Sequence, residues 1–188
     1  LKTYDQGHGD KGSLAWTPVR EIVDALNDAF YLAFDAIEPT GKNHLLALDV
    51  SGSMSAAIAG MPISCRDATA VLAMVTARAE KNWHVVAFQN RLTPLAISPK
   101  QRLDDVIRTI SGLSFGGTDC ALPMLYAASE NLDVDVFHIY TDNETWAGGV
   151  HPHQALQTYR NKSGRAAKLC VVGMTATEFT IGDPNDPG

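Results

Sequence analysis

Residues 44–53, with the sequence HLLALDVSGS, decide the fold of this chain. Residues 44–50 form a short and almost wholly apolar run, which is typical of a strand buried on both faces of a parallel sheet. The sequence then changes abruptly to serine and glycine, which indicates a loop directly after the strand. This stretch therefore predicts a buried strand that ends in a polar loop.

Apolar runs and helical patterns alternate along the rest of the chain. Buried strands are predicted at residues 83–88, 134–140 and 167–173. A strand at 92–97 is placed at an edge of the sheet because it contains Pro94. Strands that alternate with helices predict an α/β fold, doubly wound, with a mostly parallel central sheet and helices on both faces.

Capping residues mark where helices begin. Helices are predicted to open at Thr17-Pro18, at a capping box formed by Ser64 and Asp67, and at Ser98-Pro99, and two more are predicted over residues 119–132 and 152–160. The apolar faces of the first three comprise Val19, Ile22, Val23, Leu26, Phe30 and Phe34, then Ala68, Val71, Leu72 and Val75, and finally Leu103, Val106, Ile107 and Ile110. Leu122, Leu125 and Leu132 are predicted core residues of the fourth helix.

Charge and hydropathy exclude two classes of partner. The 188 residues carry 15 basic and 21 acidic side chains, a formal charge of −6. Because binding to a nucleic-acid backbone rests on lysine and arginine, this chain is not expected to hold RNA by itself. No apolar run approaches the roughly 20 residues that cross a bilayer, so no membrane partner is expected.

The three cysteines, Cys65, Cys120 and Cys170, are widely spaced and form no CxxC pair. This spacing argues against a zinc ribbon or a thioredoxin-like site. Three reduced thiols, at least one of them in the core, are typical of a cytoplasmic protein, and that location is expected. The sequence starts at Leu1 rather than at methionine, so we expect it to be a piece of something longer.

Three loops carry polar groups where a ligand is expected. In open α/β sheets, ligands bind outside the carboxyl ends of the strands, where the strand order reverses. The loops after the predicted strands at residues 44–50 and 134–140, and a Gly-rich loop between them, supply hydroxyls and carboxylates. These hard oxygen donors, without His or Cys, are the set that Mg²⁺ or Mn²⁺ prefers. The candidate metal ligands are Asp49, Ser51, Ser53, Thr118 and Asp142.

Neutral hydroxyls would leave the ion with much of its positive charge, so an open coordination position would attract a carboxylate from an acidic partner. A capping turn explains residues 49–53 taken alone, but Thr118 and Asp142 together favour a metal. Two other interpretations stay open. One is a metal-assisted phosphohydrolase, although no general base or nucleophile beyond Asp49 is evident. The other is a purely structural domain in which the apolar helix from Val19 to Phe34 serves for docking.

Several single motifs lack the context that their chemistry needs. Residues 7–12 match GxGxxG, but no strand precedes them and the next helix starts later. Asp49 as a phosphatase-type nucleophile lacks a second aspartate two residues on, where Ser51 stands. His151 and His153 without a third ligand indicate a surface loop. Ser53 is not in a G-x-S-x-G elbow, which leaves hydrolase chemistry without its motif.

Three residues near the candidate ligands have open roles. Asp119 is predicted to cap its own helix. Glu144 is either a second-sphere acceptor or solvated. Trp146 is either an exposed anchor for a partner or packed under its Gly-rich loop.

The D-x-S-x-S motif, the threonine loop and the T-D pair resemble the metal-ion-dependent adhesion site of von Willebrand factor A domains. The three pieces occur in the family's chain order. In that family the two serines and the threonine bind the metal directly, and the aspartates bind directly or through water. The resemblance implies these roles for the five candidate ligands. Asn143 stands where a common family pattern has glycine, which concerns the shape of the loop and the choice of partner.

A narrower resemblance covers nearly the whole chain. The stretches LKTYDQGHGDKG, WTPVREIVDALNDAFYLAF, EPTGKNHLLALDVSGSMS, GGTDCALPMLYA and TDNETWAG look like the C-terminal part of the Ro ribonucleoprotein autoantigen family. Members are ring-shaped RNA-binding proteins. The resemblance implies a ring of helical repeats, absent here, that binds small non-coding Y RNAs outside and takes the ends of misfolded RNAs through its hole, with the A-type domain closing the ring.

The chain is predicted to divide into three parts. The resemblance implies that residues 1–41 are a loop and helix leading in from the ring and that residues 42–181 are the A-type domain. The Gly, Pro, Asp and Asn content of residues 182–188 predicts a flexible tail. We expect a monomeric binding module rather than an enzyme. It would serve RNA quality control, and RNA would contact the absent ring rather than this domain.

Overall fold

A central sheet of five strands organises the computed structural model of the chain. The strands are β1 (Asn43–Asp49), β2 (Asn82–Phe88), β3 (Leu92–Pro94), β4 (Val136–Thr141) and β5 (Lys168–Gly173). The structure describes residues 1–9, 11–58, 61–114, 116–142, 145, 147–175 and 180–186.

The strand order is β3-β2-β1-β4-β5, which places β1 in the middle. β1 runs parallel to both β2 and β4, and β4 runs parallel to β5. β3 pairs antiparallel with β2 at one edge, where Pro94 costs no hydrogen bond to a further strand. The predicted doubly wound, mostly parallel α/β sheet and its Pro94 edge strand are confirmed, although β3 ends at Pro94 rather than at Ile97. The predicted burial of residues 167–173 is wrong, because β5 is the other edge strand and its residues are exposed or half-buried.

Helices cover both faces of the sheet, as predicted. They are α1 (Lys2–Asp5), α2 (Arg20–Leu32), α3 (Cys65–Ala79), α4 (Leu103–Ser111), α5 (Leu122–Ser129) and α6 (Pro152–Ser163), with a 3-10 turn at Gly52–Ser55. Alternate residues of β1 point to opposite sides, so Leu45 and Ala47 pack with residues of α5 and α6. Leu46 and Leu48 pack with residues of α3 and α4. All positions of β1 after Asn43 are buried, in agreement with its apolar sequence.

Two of the three predicted helix starts are wrong. α2 begins at Arg20 after Val19, and α4 begins at Leu103 after Arg102, so Thr17-Pro18 and Ser98-Pro99 lie ahead of their helices. The Ser64 box is confirmed. The Asp67 backbone N–H donates to the Ser64 hydroxyl at 3.1 Å, and the Ser64 backbone N–H donates to the Asp67 carboxylate at 3.1 Å. The reciprocal pair satisfies two donors that the helix end would otherwise leave free.

The buried faces of α2 and α3 also differ from the prediction. α2 buries Val23, Asn27 and Tyr31, while Ile22 is 44% exposed. On α3, Leu72 is 38% exposed, and the face against the sheet consists of Ala70, Ala73, Met74 and Ala77. The small alanine side chains bring α3 close to the strands, whereas the larger residues of the predicted stripe lie to the side. For α4 the prediction is confirmed at Leu103, Val106 and Ile110.

The predicted span of α5 is too long, since the helix covers Leu122–Ser129 only. Its core residues are Pro123, Met124, Ala127 and Ala128, whereas the predicted Leu122, Leu125 and Leu132 are half-buried.

A buried tyrosine closes the α5–α6 side of the core. The Tyr159 hydroxyl, on α6, accepts the backbone N–H of Val134 at 2.7 Å and donates to the Leu132 carbonyl at 2.7 Å. Its ring is fully buried and meets Phe137 edge to face, with ring centroids 4.9 Å apart. The hydroxyl thereby pairs two backbone groups of the turn that leads into β4.

Substitution Tyr159→Phe is expected to lower the free energy of unfolding by about 1–3 kcal/mol, because it leaves the buried Val134 N–H without its acceptor. Urea unfolding at pH 7 measures the change. Tyr126→Phe on the half-buried side of α5 is the matched control and is expected to change the stability little. Equal stability of Tyr159→Phe and the wild type would contradict the assignment.

The expected core thiol is confirmed, and one cysteine faces solvent. Cys65 and Cys120 are buried, Cys170 is exposed, and none of these three forms a disulfide. Within the described ranges, no helix combines the length and apolar character that a membrane crossing requires.

Candidate metal centre

The two predicted aspartate ligands lie where the order of the strands reverses. From β1 the chain continues to β2 on one side, while β4 pairs with the other side of β1. Loops that leave β1 and β4 therefore diverge and open a crevice between them. Asp49 is the last residue of β1 and Asp142 directly follows β4, so both carboxylates border this crevice.

Asp49 forms the floor of the site. Its side chain is fully buried, its Oδ1 accepts the backbone N–H of Ser51 at 2.8 Å, and its Oδ2 accepts the Thr141 hydroxyl at 2.7 Å. The pKa of Asp49 is raised above its ordinary value, mainly by burial and also by the charge of Asp142, although the hydrogen bonds from Thr141 and Ser51 lower it. A carboxylate this deeply enclosed serves better as a fixed ligand than as an exposed nucleophile.

The serines reach the site from a tight turn. After β1, residues Gly52–Ser55 form the 3-10 turn, and the buried Met54 anchors it in the core. The turn brings the Ser51 and Ser53 hydroxyl oxygens to 3.2 Å from each other. Ser51 is buried next to Asp49, whereas Ser53 is exposed and lies at the solvent-facing rim of the site.

Thr118 enters from the loop before α5. The backbone N–H of Asp119 donates to the Gln89 carbonyl at 3.0 Å, which ties this loop to the end of β2. The Thr118 carbonyl accepts the backbone N–H of Ala147 at 2.9 Å and the Thr145 hydroxyl at 3.1 Å. Thr118 itself is 3% exposed. The loop therefore holds the threonine between the end of β2 and the segment that follows β4.

Asp142 supplies the second carboxylate and carries a vacant acceptor. Its Oδ1 is buried, and no described residue donates a hydrogen bond to it. The negative charge of Asp142 raises the pKa of Asp49. Burial, and then the charge of Asp142, raise the pKa of the neighbouring Cys65 thiol. Two buried carboxylates with a vacant acceptor need a cation or donor to offset their desolvation.

The donor set fits a hard divalent cation. Two carboxylates and three hydroxyls offer only oxygen, which suits Mg²⁺ or Mn²⁺ and disfavours zinc. In the described part of the chain, no three His, Cys, Asp or Glu side chains converge on a metal position. The exposed Ser53 rim leaves room for a ligand from outside.

Comparison with known proteins identifies the family of the chain that carries this crevice. A family model described as the Ro60 vWA domain matches residues 43–188. The chain belongs to this family.

Relatives of the vWA domain come from a bacterium and an animal. The chain is 50% identical over 183 residues to the RNA-binding protein RO60 of Deinococcus radiodurans, covering 96% of this chain and 34% of the relative. It is 46% identical over 186 residues to the RNA-binding protein RO60 of Caenorhabditis elegans, covering 98% of this chain and 29% of the relative. The vWA chain thus spans about a third of the length of these curated relatives.

A solved structure shows the same fold. The crystal structure of the Deinococcus radiodurans RO (RSR) protein superimposes with a TM-score of 0.81 at 50% identity, covering 97% of this chain and 37% of that one. The match confirms the predicted family and fold of the vWA chain. Neither the predicted boundaries at residues 41 and 181 nor the five ligands are tested by it.

Asp119 is not the N-cap residue of α5 that the sequence predicted. The N-cap is Ala121, and the Asp119 Oδ1 instead accepts the backbone N–H of Ala121 at 3.0 Å ahead of the helix. Gly148 packs against this carboxylate with φ of +86°, and a Cβ there would lie 2.3 Å from Asp119 Oδ2. Asp119 therefore fixes the loop around the site.

His151 and His153 lie at the start of α6, not in a loop. Their Nδ1 atoms are 2.6 Å apart, and among the described residues no third metal-binding side chain joins them. Asn143, Glu144 and Trp146 lie outside the described residues, so their predicted roles stay predictions.

Two residues that contact the candidate ligands were not predicted from the sequence. Thr141 donates its hydroxyl to Asp49 across 92 positions of sequence, and nothing local marks that bond. Arg66 is buried beneath the Val50–Ser51 loop. Here a signal existed, because Arg66 stands four and seven residues before Ala70 and Ala73, on the face of α3 that packs on the sheet.

Proposed function

We propose that this vWA domain binds Mg²⁺ or Mn²⁺ through Asp49, Ser51, Ser53, Thr118 and Asp142. The observation that supports the proposal most is the buried Oδ1 of Asp142, an acceptor without a hydrogen-bond donor among the described residues. A cation beside it would offset the cost of two buried carboxylates.

The bound ion would present an open position to a carboxylate from an acidic partner. Three of the five ligands are neutral hydroxyls, and the two oxygens of Asp49 already accept hydrogen bonds from Ser51 and Thr141. These ligands donate little electron density, so the ion would remain a strong Lewis acid toward the exposed rim at Ser53. An anionic oxygen is the ligand that such an ion attracts.

In the longer protein we propose a role in RNA quality control. The relatives are named RNA-binding proteins, and the chain spans about a third of their length. The formal charge of −6 disfavours a nucleic-acid backbone as a direct ligand. We infer that small non-coding Y RNAs and misfolded RNAs bind a ring outside this chain, and that the domain is a monomeric, cytoplasmic, non-enzymatic module of that protein.

A labelled hexaglutamate peptide tests the binding of carboxylates. Its fluorescence anisotropy is expected to rise with protein in Mn²⁺ or Mg²⁺ and to stay flat in EDTA, because the ion completes its coordination shell with a peptide carboxylate. Hexaglutamine is the neutral control, and Asp142→Asn is the site control. Equal binding of hexaglutamate in metal and EDTA, or no binding in either, would contradict the proposed ligand class.

A further inference from the structure

A buried arginine lies directly beneath the loop that carries the serines. Arg66, in the first turn of α3, is 5% exposed. Its Nη2 donates to the carbonyl oxygens of Val50 and Ser51, each at 3.0 Å. One guanidinium nitrogen thus holds the two consecutive carbonyls that connect Asp49 to the 3-10 turn.

The peptide unit between Val50 and Ser51 is held from both sides. Its carbonyl oxygen accepts from Arg66, and its N–H donates to Asp49 Oδ1 at 2.8 Å. The C=O and N–H of a planar trans peptide point in opposite directions. By fixing the carbonyl, Arg66 therefore fixes the N–H that orients the Asp49 carboxylate.

The first turn of α3 that carries Arg66 is itself anchored. The Asp67 carboxylate accepts the Ser64 backbone N–H and contacts the Lys2 ammonium of the N-terminal segment. Ser64 in turn caps the helix. Arg66 thus projects from a rigid support rather than from a loop.

We propose that Arg66 is a positioning residue for metal binding, which holds the Val50–Ser51 peptide so that Asp49, Ser51 and Ser53 keep the arrangement that receives the cation. The inference rests on the proposed metal function. Replacing a residue that orients metal ligands through hydrogen bonds typically weakens metal affinity by about 10–100-fold.

The sign of the effect separates positioning from charge. The guanidinium lies within electrostatic range of Asp49 and Asp67. A cation beside the site repels a divalent ion, so removing its charge alone would tighten metal binding. Loss of positioning predicts weaker binding instead.

Isothermal titration with Mg²⁺ and Mn²⁺ compares the wild type with Arg66→Met, which keeps an unbranched stem but loses charge and donors. The Kd of Arg66→Met is expected to rise about 10–100-fold. The amide proton of Ser51 is expected to shift in the metal-free ¹⁵N spectrum, because its hydrogen bond to Asp49 loosens. If Arg66→Met does not fold, Arg66→Lys decides, and several-fold weaker binding is expected because the lysine stem is shorter and lacks the fork.

Arg160→Met is the matched control. Arg160 also donates to a backbone carbonyl, that of Ala167 at 2.8 Å, but it lies on α6 away from the crevice. The Kd of Arg160→Met for the metal is expected to equal that of the wild type. If the wild type binds metal and the folded Arg66 variant binds it with an unchanged or lower Kd, the positioning role of Arg66 is wrong but the proposed metal function stands. No metal binding by the wild type would overturn the proposed function, and the inference with it.

Discussion

Replacing Asp49 with asparagine is expected to abolish Mg²⁺ and Mn²⁺ binding while the domain stays folded. The amide keeps the shape of the side chain, and its oxygen still accepts the Ser51 N–H that Asp49 Oδ1 accepts. It removes one of the two negative charges in the crevice. Asp49→Ala removes the acceptors for both Ser51 and Thr141 as well, so that variant also loses about 1–3 kcal/mol of stability.

Thermal unfolding in EDTA and in metal measures this effect. A ligand at 100 times its Kd stabilises the native state by about 2.7 kcal/mol. For a domain of this size that is about 5–10 °C in Tm. The shift is expected in the wild type and absent in Asp49→Asn.

Asp135→Asn is the matched control for the Asp49 substitution. The Asp135 carboxylate accepts the backbone N–H of Asn43 at 2.9 Å at the opposite end of β1, away from the crevice. This variant is expected to keep the full metal-dependent shift. An equal shift in Asp49→Asn and the wild type would show that the ion binds elsewhere.

Acid is expected to destabilise the domain through His138. His138 lies on β4, with its Nε2 2.9 Å from the His44 Nδ1. His44 in turn lies 3.5 Å from the buried Glu80 carboxylate. Burial, and then the neighbouring His44, lower the pKa of His138 from 6.5 to about 4, against a smaller opposing effect of Glu80.

The lowered pKa sets the sign and the range. Between pH 6.5 and about 4 the unfolded chain binds a proton at this histidine that the folded domain does not bind. Stability from this group is therefore complete above pH 6.5 and is lost as the pH falls toward 4. The loss amounts to about 3 kcal/mol at 1.36 kcal/mol per pKa unit.

Urea unfolding between pH 7 and pH 4 measures this loss. Carboxylates whose pKa values are lowered in the fold, such as Asp67 and Asp135, also make the domain less stable in acid when they are protonated. The comparison of the wild type with His138→Gln isolates the histidine, because those carboxylates are present in both. The variant is expected to lose about 3 kcal/mol less over this range. The same loss in both proteins would contradict the assignment.

Local features of the fold could be predicted from the sequence. The middle of β1, from Leu45 to Leu48, is apolar and buried at every position, so this strand needs no distant information to be predicted. The Ser64 box is complete within four residues. The buried face of α3 could not be predicted from hydropathy, because alanines against the sheet are less apolar than the Leu72 that lies outside. Close approach of helix and sheet decides that face.

The candidate site divides in the same way. Its ligands stand at strand ends and in a Gly-rich loop, so topology alone predicts their meeting at one edge. The supports of Asp49 depend on contacts that span long stretches of sequence, from Thr141 and, through the Val50 carbonyl, from Arg66. Such contacts emerge only when β1, β4 and α3 are packed together.

The most direct test of the central claim is a Mn²⁺ titration of the wild-type chain followed by electron paramagnetic resonance of the free ion. The wild type is expected to remove one equivalent of Mn²⁺ from the free signal, Mg²⁺ is expected to displace the bound Mn²⁺, and Asp142→Asn is expected not to bind Mn²⁺. A free Mn²⁺ signal that matches buffer alone through millimolar concentrations would contradict a metal site at Asp49, Ser51, Ser53, Thr118 and Asp142.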